Sequence, residues 1–242
     1  MPENPYAAPQ VIDPAVTLVP ELAEELVPSL ESIRTGAQLS LKATWLVFLA
    51  CVVVGVSAAI GGHDFVSLML WILLGAAAFC FLLGLVAFGQ VTTAAGIRRL
   101  MLVAIGAFVV SVLLAFVEGW VLPAFDGASR LAWNALTHVV SMTYLVAFLW
   151  SLARLGQVLH DSIVTRWATV AAWTWGAFYT IVAGMLLVGA LSENLREKIL
   201  RLDAAEHRTT LIIFVGVLGI MPLVGLFGFL RALWRLKKIE AA

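Results

Sequence analysis

His63, Asp64, Glu118 and His138 are the residues of this chain whose types could hold a metal ion. Imidazole and carboxylate ligands suit zinc-like cations. Their spacing matches no ligand motif: HxxxH, ExxH and CxxC are all absent from the sequence. What groups them is depth, because all four fall toward the same ends of long apolar runs. A bis-histidine haem would need two facing histidines, and His138 is the one histidine well inside such a run. The competing reading is interfacial polar residues satisfied by water. No nucleotide loop, nucleophile elbow, zinc-protease helix or EF-hand loop occurs. The sequence therefore assigns no catalytic residue and no cofactor, and it points to a non-enzymatic protein.

A second polar grouping lies on one helical face. Asn134, Thr137, His138, Ser141 and Tyr144 fall within about 120° at 100° per residue, while Thr143 points the other way. Such a stripe turns to a bundle interior or a water-filled cavity rather than to lipid. It serves either interhelical hydrogen bonding, at about 0.6 kcal/mol per contact, or a pathway for a small solute or ion. A third stripe is small rather than polar: Ala168, Ala172, Gly176, Thr180 and Gly184 recur at every fourth position. It lets another helix approach closely, within this chain or from a second copy. Pro222, flanked by Gly216, Gly219, Gly225 and Gly228, predicts a kink.

The elements that must position these residues follow from composition. The chain is 62% hydrophobic and 12% charged, with a mean hydropathy of +1.00. A soluble domain of this size needs more polar surface. The apolar residues form six runs, at about 43–60, 66–88, 99–122, 131–153, 166–191 and 209–234. A hydrocarbon core of about 30 Å needs roughly 20 helical residues. The runs are continuous rather than alternating, so helices are expected and barrel strands are not. The fold class is all-α: a polytopic six-helix transmembrane bundle occupying 41–236, with the lipid bilayer as its solvent. On this scale Glu118 lies roughly 28 Å from the start of the third run, near the boundary rather than the centre.

Ahead of the bundle, residues 1–19 read as a disordered tail with four of the eight prolines. Residues 20–40 read as an amphipathic helix, with Leu22, Leu26, Leu30 and Ile33 on one face and a bend at Pro28. It is expected along the inner membrane face or docked on the bundle. Its acidity favours docking. Residues 237–242 form a second short tail. The N-terminus lacks the pattern of a cleaved leader. Ten of the fifteen Lys and Arg residues fall on one side of the alternating runs, which places both termini in the cytoplasm. The segment 192–208 carries eight charges and reads as a solvated extension or an external docking surface. Zero formal net charge offers nucleic acid no electrostatic pull. Cys51 and Cys80 read as small buried apolar side chains.

Asn4-Pro5-Tyr6 with Pro9, "SIRTGAQL" before the first run, "FGQVTTAAGIRR" after the second and "FLWSLARLGQVL" leaving the fourth together resemble a set of multi-span proteins of planctomycete-type bacteria. That resemblance implies a bacterial inner-membrane setting, with no activity and no catalytic residue to carry over. The leading expectation is a non-enzymatic scaffold or interaction component, contacting a second copy or another membrane protein. The alternatives are a small-solute or ion transporter using the fourth run and, more remotely, a metal- or haem-dependent membrane enzyme.

Overall fold

The computed structural model describes residues 20–60, 64–91, 95–121, 127–192 and 208–238, with side chains over 29–54, 69–91, 96–118, 127–192 and 220–238. The proposed tail 1–19, His63, the charged segment 193–207 and the last residues 239–242 lie outside them, as do the side chains of Leu22 and Leu26. Among the described residues there are six helices and no strand: α1 Pro20–Ile60, α2 Asp64–Gly89, α3 Ala95–Val121, α4 Gly127–Val158, α5 Ser162–Leu191 and α6 Arg208–Lys237. Five of them, α1 to α5, are long and apolar enough to cross a membrane. The large apolar residues that remain outside the core explain why a membrane is needed. Trp71 is 67% and Phe116 66% exposed, with Ile72, Phe79, Leu102 and Leu223 similar. A soluble surface does not carry apolar area on that scale.

Each helix packs against the next in sequence, and α6 returns to α1, so the six helices close a ring. From α1 to α5 the connections are only three to five residues long, which leaves consecutive antiparallel helices no length in which to separate. The α4–α5 seam is the most extensive, while α2–α3 and α1–α6 are thin.

The amphipathic segment and the first run are not separate elements. Helix α1 runs through both, 41 residues without interruption, passing Pro28. At about 1.5 Å per residue it is near twice the hydrocarbon thickness, so one end must stand outside the lipid. That end is docked: Leu30, Ile33 and Ala37 are buried in the main core, while Glu31 is exposed.

The core is concentrated at one end of the bundle. It takes the start of α1 (Ile33), the end of α2 (Leu85, Phe88) and the start of α3 (Ile97, Met101). The end of α4 (Phe148, Leu152, Leu155), the start of α5 (Val164, Ala168) and the end of α6 (Leu233, Leu236) complete it. The same end carries Arg98, Arg99, Arg154, Arg166, Arg231 and Arg235; we refer to it as the basic end. Its packing depends on close backbone approach. A Cβ on Gly36 would fall 2.8 Å from the Phe88 ring and 3.0 Å from the Gly84 carbonyl oxygen, and one on Gly84 would fall 2.8 Å from Ser40 Oγ. A Cβ on Gly156 would meet the Thr165 amide nitrogen at 2.6 Å. Only glycine lets α1 and α2, and α4 and α5, come this near.

The α4–α5 turn is built around Asp161. His160 takes a left-handed conformation (φ 51°), unusual for a residue with a Cβ. This directs the Asp161 amide to donate to the Gly156 carbonyl at 2.9 Å. The Asp161 carboxylate caps α5, with Oδ1 accepting from the Ile163 and Val164 amides at 2.9 and 3.0 Å. Oδ2 accepts from Arg235 Nε of α6 at 2.9 Å. The Asp161 side chain is 2% exposed, whereas Arg235 is 35% exposed. One buried carboxylate thus ties the α4–α5 turn to the last turn of α6.

Removing a helix N-cap costs about 1 kcal/mol, and stripping one partner from a fully buried ion pair costs about 3–5 kcal/mol. Arg235 still reaches water, so Asp161→Ala is expected to cost about 2–3 kcal/mol in all. Asp161→Asn, which keeps the cap acceptor, should cost less. Denaturant unfolding in micelles measures both, and an unchanged midpoint for Asp161→Ala would contradict the tie.

Candidate functional site

Just outward of the core lies a partly open cavity of about 320 Å³ lined by all six helices. Ala43, Ala77 and Ala78 on α1 and α2 leave the space, since their side chains are too short to fill the centre of a six-membered ring. Toward the basic end an aromatic cluster closes it. Phe81 contacts Phe108, Phe148 and Tyr144 at centroid separations of 5.2, 5.4 and 6.2 Å. Phe148 continues to Phe88 at 5.5 Å and Phe229 at 6.0 Å. Tilted and edge-to-face aromatic pairs of this kind each add about 0.5–1.5 kcal/mol beyond area burial. The floor is therefore stiff, whereas the α1 and α2 walls above it carry the small side chains Ala43, Thr44, Ala77 and Ala78.

The polar groups on the cavity wall are few. Thr44, Tyr144 and Tyr179 bring hydroxyls and Trp175 an indole N–H. The Thr44 hydroxyl donates to the Ser40 carbonyl at 2.9 Å and keeps its acceptor lone pairs. Neither tyrosine hydroxyl has a hydrogen-bond partner among the described residues. The wall thus offers donors to a guest and is otherwise apolar. Ligand sites have this character: mostly hydrophobic, with a few polar groups that set orientation.

The polar stripe on α4 divides. Tyr144 lines the cavity. Ser141 pairs with Ser111 of α3, Oγ to Oγ at 3.3 Å. Thr137 and His138 turn back on their own helix, with Thr137 Oγ1 donating to the Asn134 carbonyl at 2.9 Å and His138 Nδ1 lying 2.8 Å from it. A carbonyl only accepts, so Nδ1 is the protonated nitrogen. The His138 ring also meets Tyr179 edge-on at 5.8 Å. The stripe turns inward, but most of it is spent on local and interhelical hydrogen bonds.

The metal candidates fare differently. His63 lies outside the described residues, and Asp64 opens α2 with its side chain undescribed. Glu118 is half-buried near the far end of α3. Among the described residues, no three His, Cys, Asp or Glu side chains gather closely enough to hold a metal.

Of the small-residue stripe, Ala168 and Ala172 are buried inside the bundle. Gly176 and Thr180 line an outward groove of about 460 Å³ between α4 and α5, walled by Trp150 and Trp173. Thr180 donates to the Gly176 carbonyl at 2.7 Å, and beyond Gly184 there is open space. Pro222 sits in α6 without ending the helix. Gly225 and Gly228 beside it are the close-contact positions, facing Trp175 and the Trp167 carbonyl. Cys51 is exposed, Cys80 partly so, and both are free.

Sequence reading did not single out the cavity or the Asp161–Arg235 tie. An Asp directly before a hydroxyl residue at the start of an apolar run, "HDSIV", is an N-cap signal that marked Asp161. The cavity has no such signal, because its lining comes from all six helices at unrelated sequence positions. Compared with models of known protein families, with known proteins and with solved structures, the chain matches none.

Ser111→Ala or Ser141→Ala is expected to lower stability by only about 0.6 kcal/mol, the usual size of a hydrogen bond between membrane helices. The double variant should cost no more than either single one. A double-mutant cycle by unfolding in micelles reads this, and additive losses would show that the two hydroxyls are not partners.

Proposed function

We propose that this chain is a non-enzymatic component of a bacterial inner membrane that holds a hydrophobic molecule in its six-helix cavity. The observation that carries this reading is the cavity itself: lined by every helix, apolar, floored by aromatics, and furnished with two unpartnered tyrosine hydroxyls. Such a wall suits a membrane-soluble guest bearing one hydrogen-bond acceptor, such as a carbonyl. It suits a polar solute or an ion poorly, since water or ions need several polar partners in so small a space. The gathering of arginines at one end supports cytoplasmic termini by the positive-inside bias. The layout and the short "SIRTGAQL", "FGQVTTAAGIRR" and "FLWSLARLGQVL" segments support the planctomycete-type bacterial setting.

Purification in mild detergent followed by native mass spectrometry and solvent extraction tests the reading. The wild type is expected to retain a lipid-soluble molecule. Ala78→Phe, which fills the cavity from α2, should reduce retention about tenfold or more, a loss of about 1.4 kcal/mol. Retention unaffected by a filled cavity would refute the site.

A second reading, favoured by the outward α4–α5 groove, is contact with another copy of the chain over Gly176, Thr180 and Gly184. Nothing lies within 4 Å of a Cβ on Gly184, so Gly184→Leu should leave the monomer's unfolding midpoint unchanged. Loss of a dimer in crosslinking without loss of stability would establish that contact, and an unchanged oligomer would dismiss it.

A further inference from the structure

The thin seam between α1 and α6 carries a groove of about 610 Å³ on the outside of the ring. Its walls are aromatic and exposed: Trp45 (68%) and Phe48 (60%) on α1, Phe227 (54%) and Trp234 (55%) on α6. Trp45 and Phe48 meet edge-on at 5.9 Å, which fixes one wall. The groove has a single charged lining residue, Arg231. Its guanidinium lies 5.7 Å from the centroid of the Trp167 ring on α5. No carboxylate pairs with it among the described residues. Close by, the Lys238 ammonium sits 3.6 Å from the Trp234 ring centroid. Two residues, Thr44 and Leu226, line both this groove and the central cavity.

We infer that the α1–α6 seam binds an anionic glycerophospholipid, its phosphate on Arg231 and one acyl chain along the aromatic wall, with Thr44 and Leu226 forming the doorway to the cavity. The occupant follows from the shape and charge of the groove. A guanidinium held over an aromatic ring, with no carboxylate partner, keeps its N–H groups free for a phosphate, and its positive charge favours an anionic headgroup. The rest of the groove offers only apolar surface, so the partner must be charged at one end and hydrocarbon beyond it. Arginine and tryptophan at the basic end fit the headgroup level, where both residue types anchor. The assignment rests on reading that end as lying at the lipid headgroups. It also gives the proposed cavity ligand an entry route from the bilayer at the thin α1–α6 seam.

Titration of the full chain with phosphatidylglycerol or phosphatidylcholine carrying brominated acyl chains, read by tryptophan quenching, tests this. One arginine near a membrane surface favours an anionic lipid by about fivefold, so phosphatidylglycerol should quench at a correspondingly lower mole fraction. Arg231→Gln should shrink that preference below about twofold, and Arg231→Lys should keep most of it. Equal quenching by the two lipids in the wild type overturns the proposal. So does a preference that survives Arg231→Gln, or one lost equally in Arg231→Lys, which would make the residue's role structural. Crosslinking of two copies through Trp45 or Phe227, with no lipid preference, overturns it in favour of a protein contact. Ala78→Phe is expected to keep the preference even where the cavity is filled. An empty cavity on extraction therefore leaves this site standing, while loss of the preference in Ala78→Phe overturns it.

Discussion

Lipid tails are as apolar as leucine, so membrane helices gain little by hiding hydrocarbon from their solvent. They associate through close packing, and close packing requires small residues where backbones cross. This protein meets the constraint at one end. Gly36 against Gly84 draws α1 onto α2, and Gly156 against Thr165 draws α4 onto α5. The packed Phe88, Phe148 and Leu233 region depends on those approaches. Longer side chains at these crossings would hold the helices apart and leave that region unfilled.

The same constraint accounts for the cavity. A ring of six helices leaves space at its centre unless large side chains fill it. At the basic end phenylalanines do so, and one turn outward Ala43, Ala77 and Ala78 do not. The result is a bundle with a stiff aromatic floor and an apolar chamber above it. In lipid such a chamber needs no water, and its unpartnered tyrosine hydroxyls are the polar positions at which a guest can be oriented.

Electrostatics are confined to the edge. Asp161 is buried but accepts from two amides and a guanidinium, so its charge is compensated where burial alone would be costly. Arg231 and Lys238 stack on tryptophans instead of pairing with acids among the described residues. Cations held in that way keep their hydrogen-bonding edges available to phosphate, which links the architecture of the basic end to the lipid it faces.

The helical membrane class and the approximate extent of α2 to α5 were legible in the sequence, because a run of about 20 apolar residues is a local property imposed by bilayer thickness. That Asn134, Thr137, His138, Ser141 and Tyr144 share one face of the fourth run follows from helix geometry alone. Residues 20–40 and the first run form one continuous helix, α1, with Ile33 and Ala37 docked on the core. Which polar residues pair, where the six helices leave a void, and that Asp161 meets Arg235 across 74 positions were decided by the tertiary structure. Those features depend on which faces of separate helices meet, and no periodicity within one helix encodes its neighbour's register.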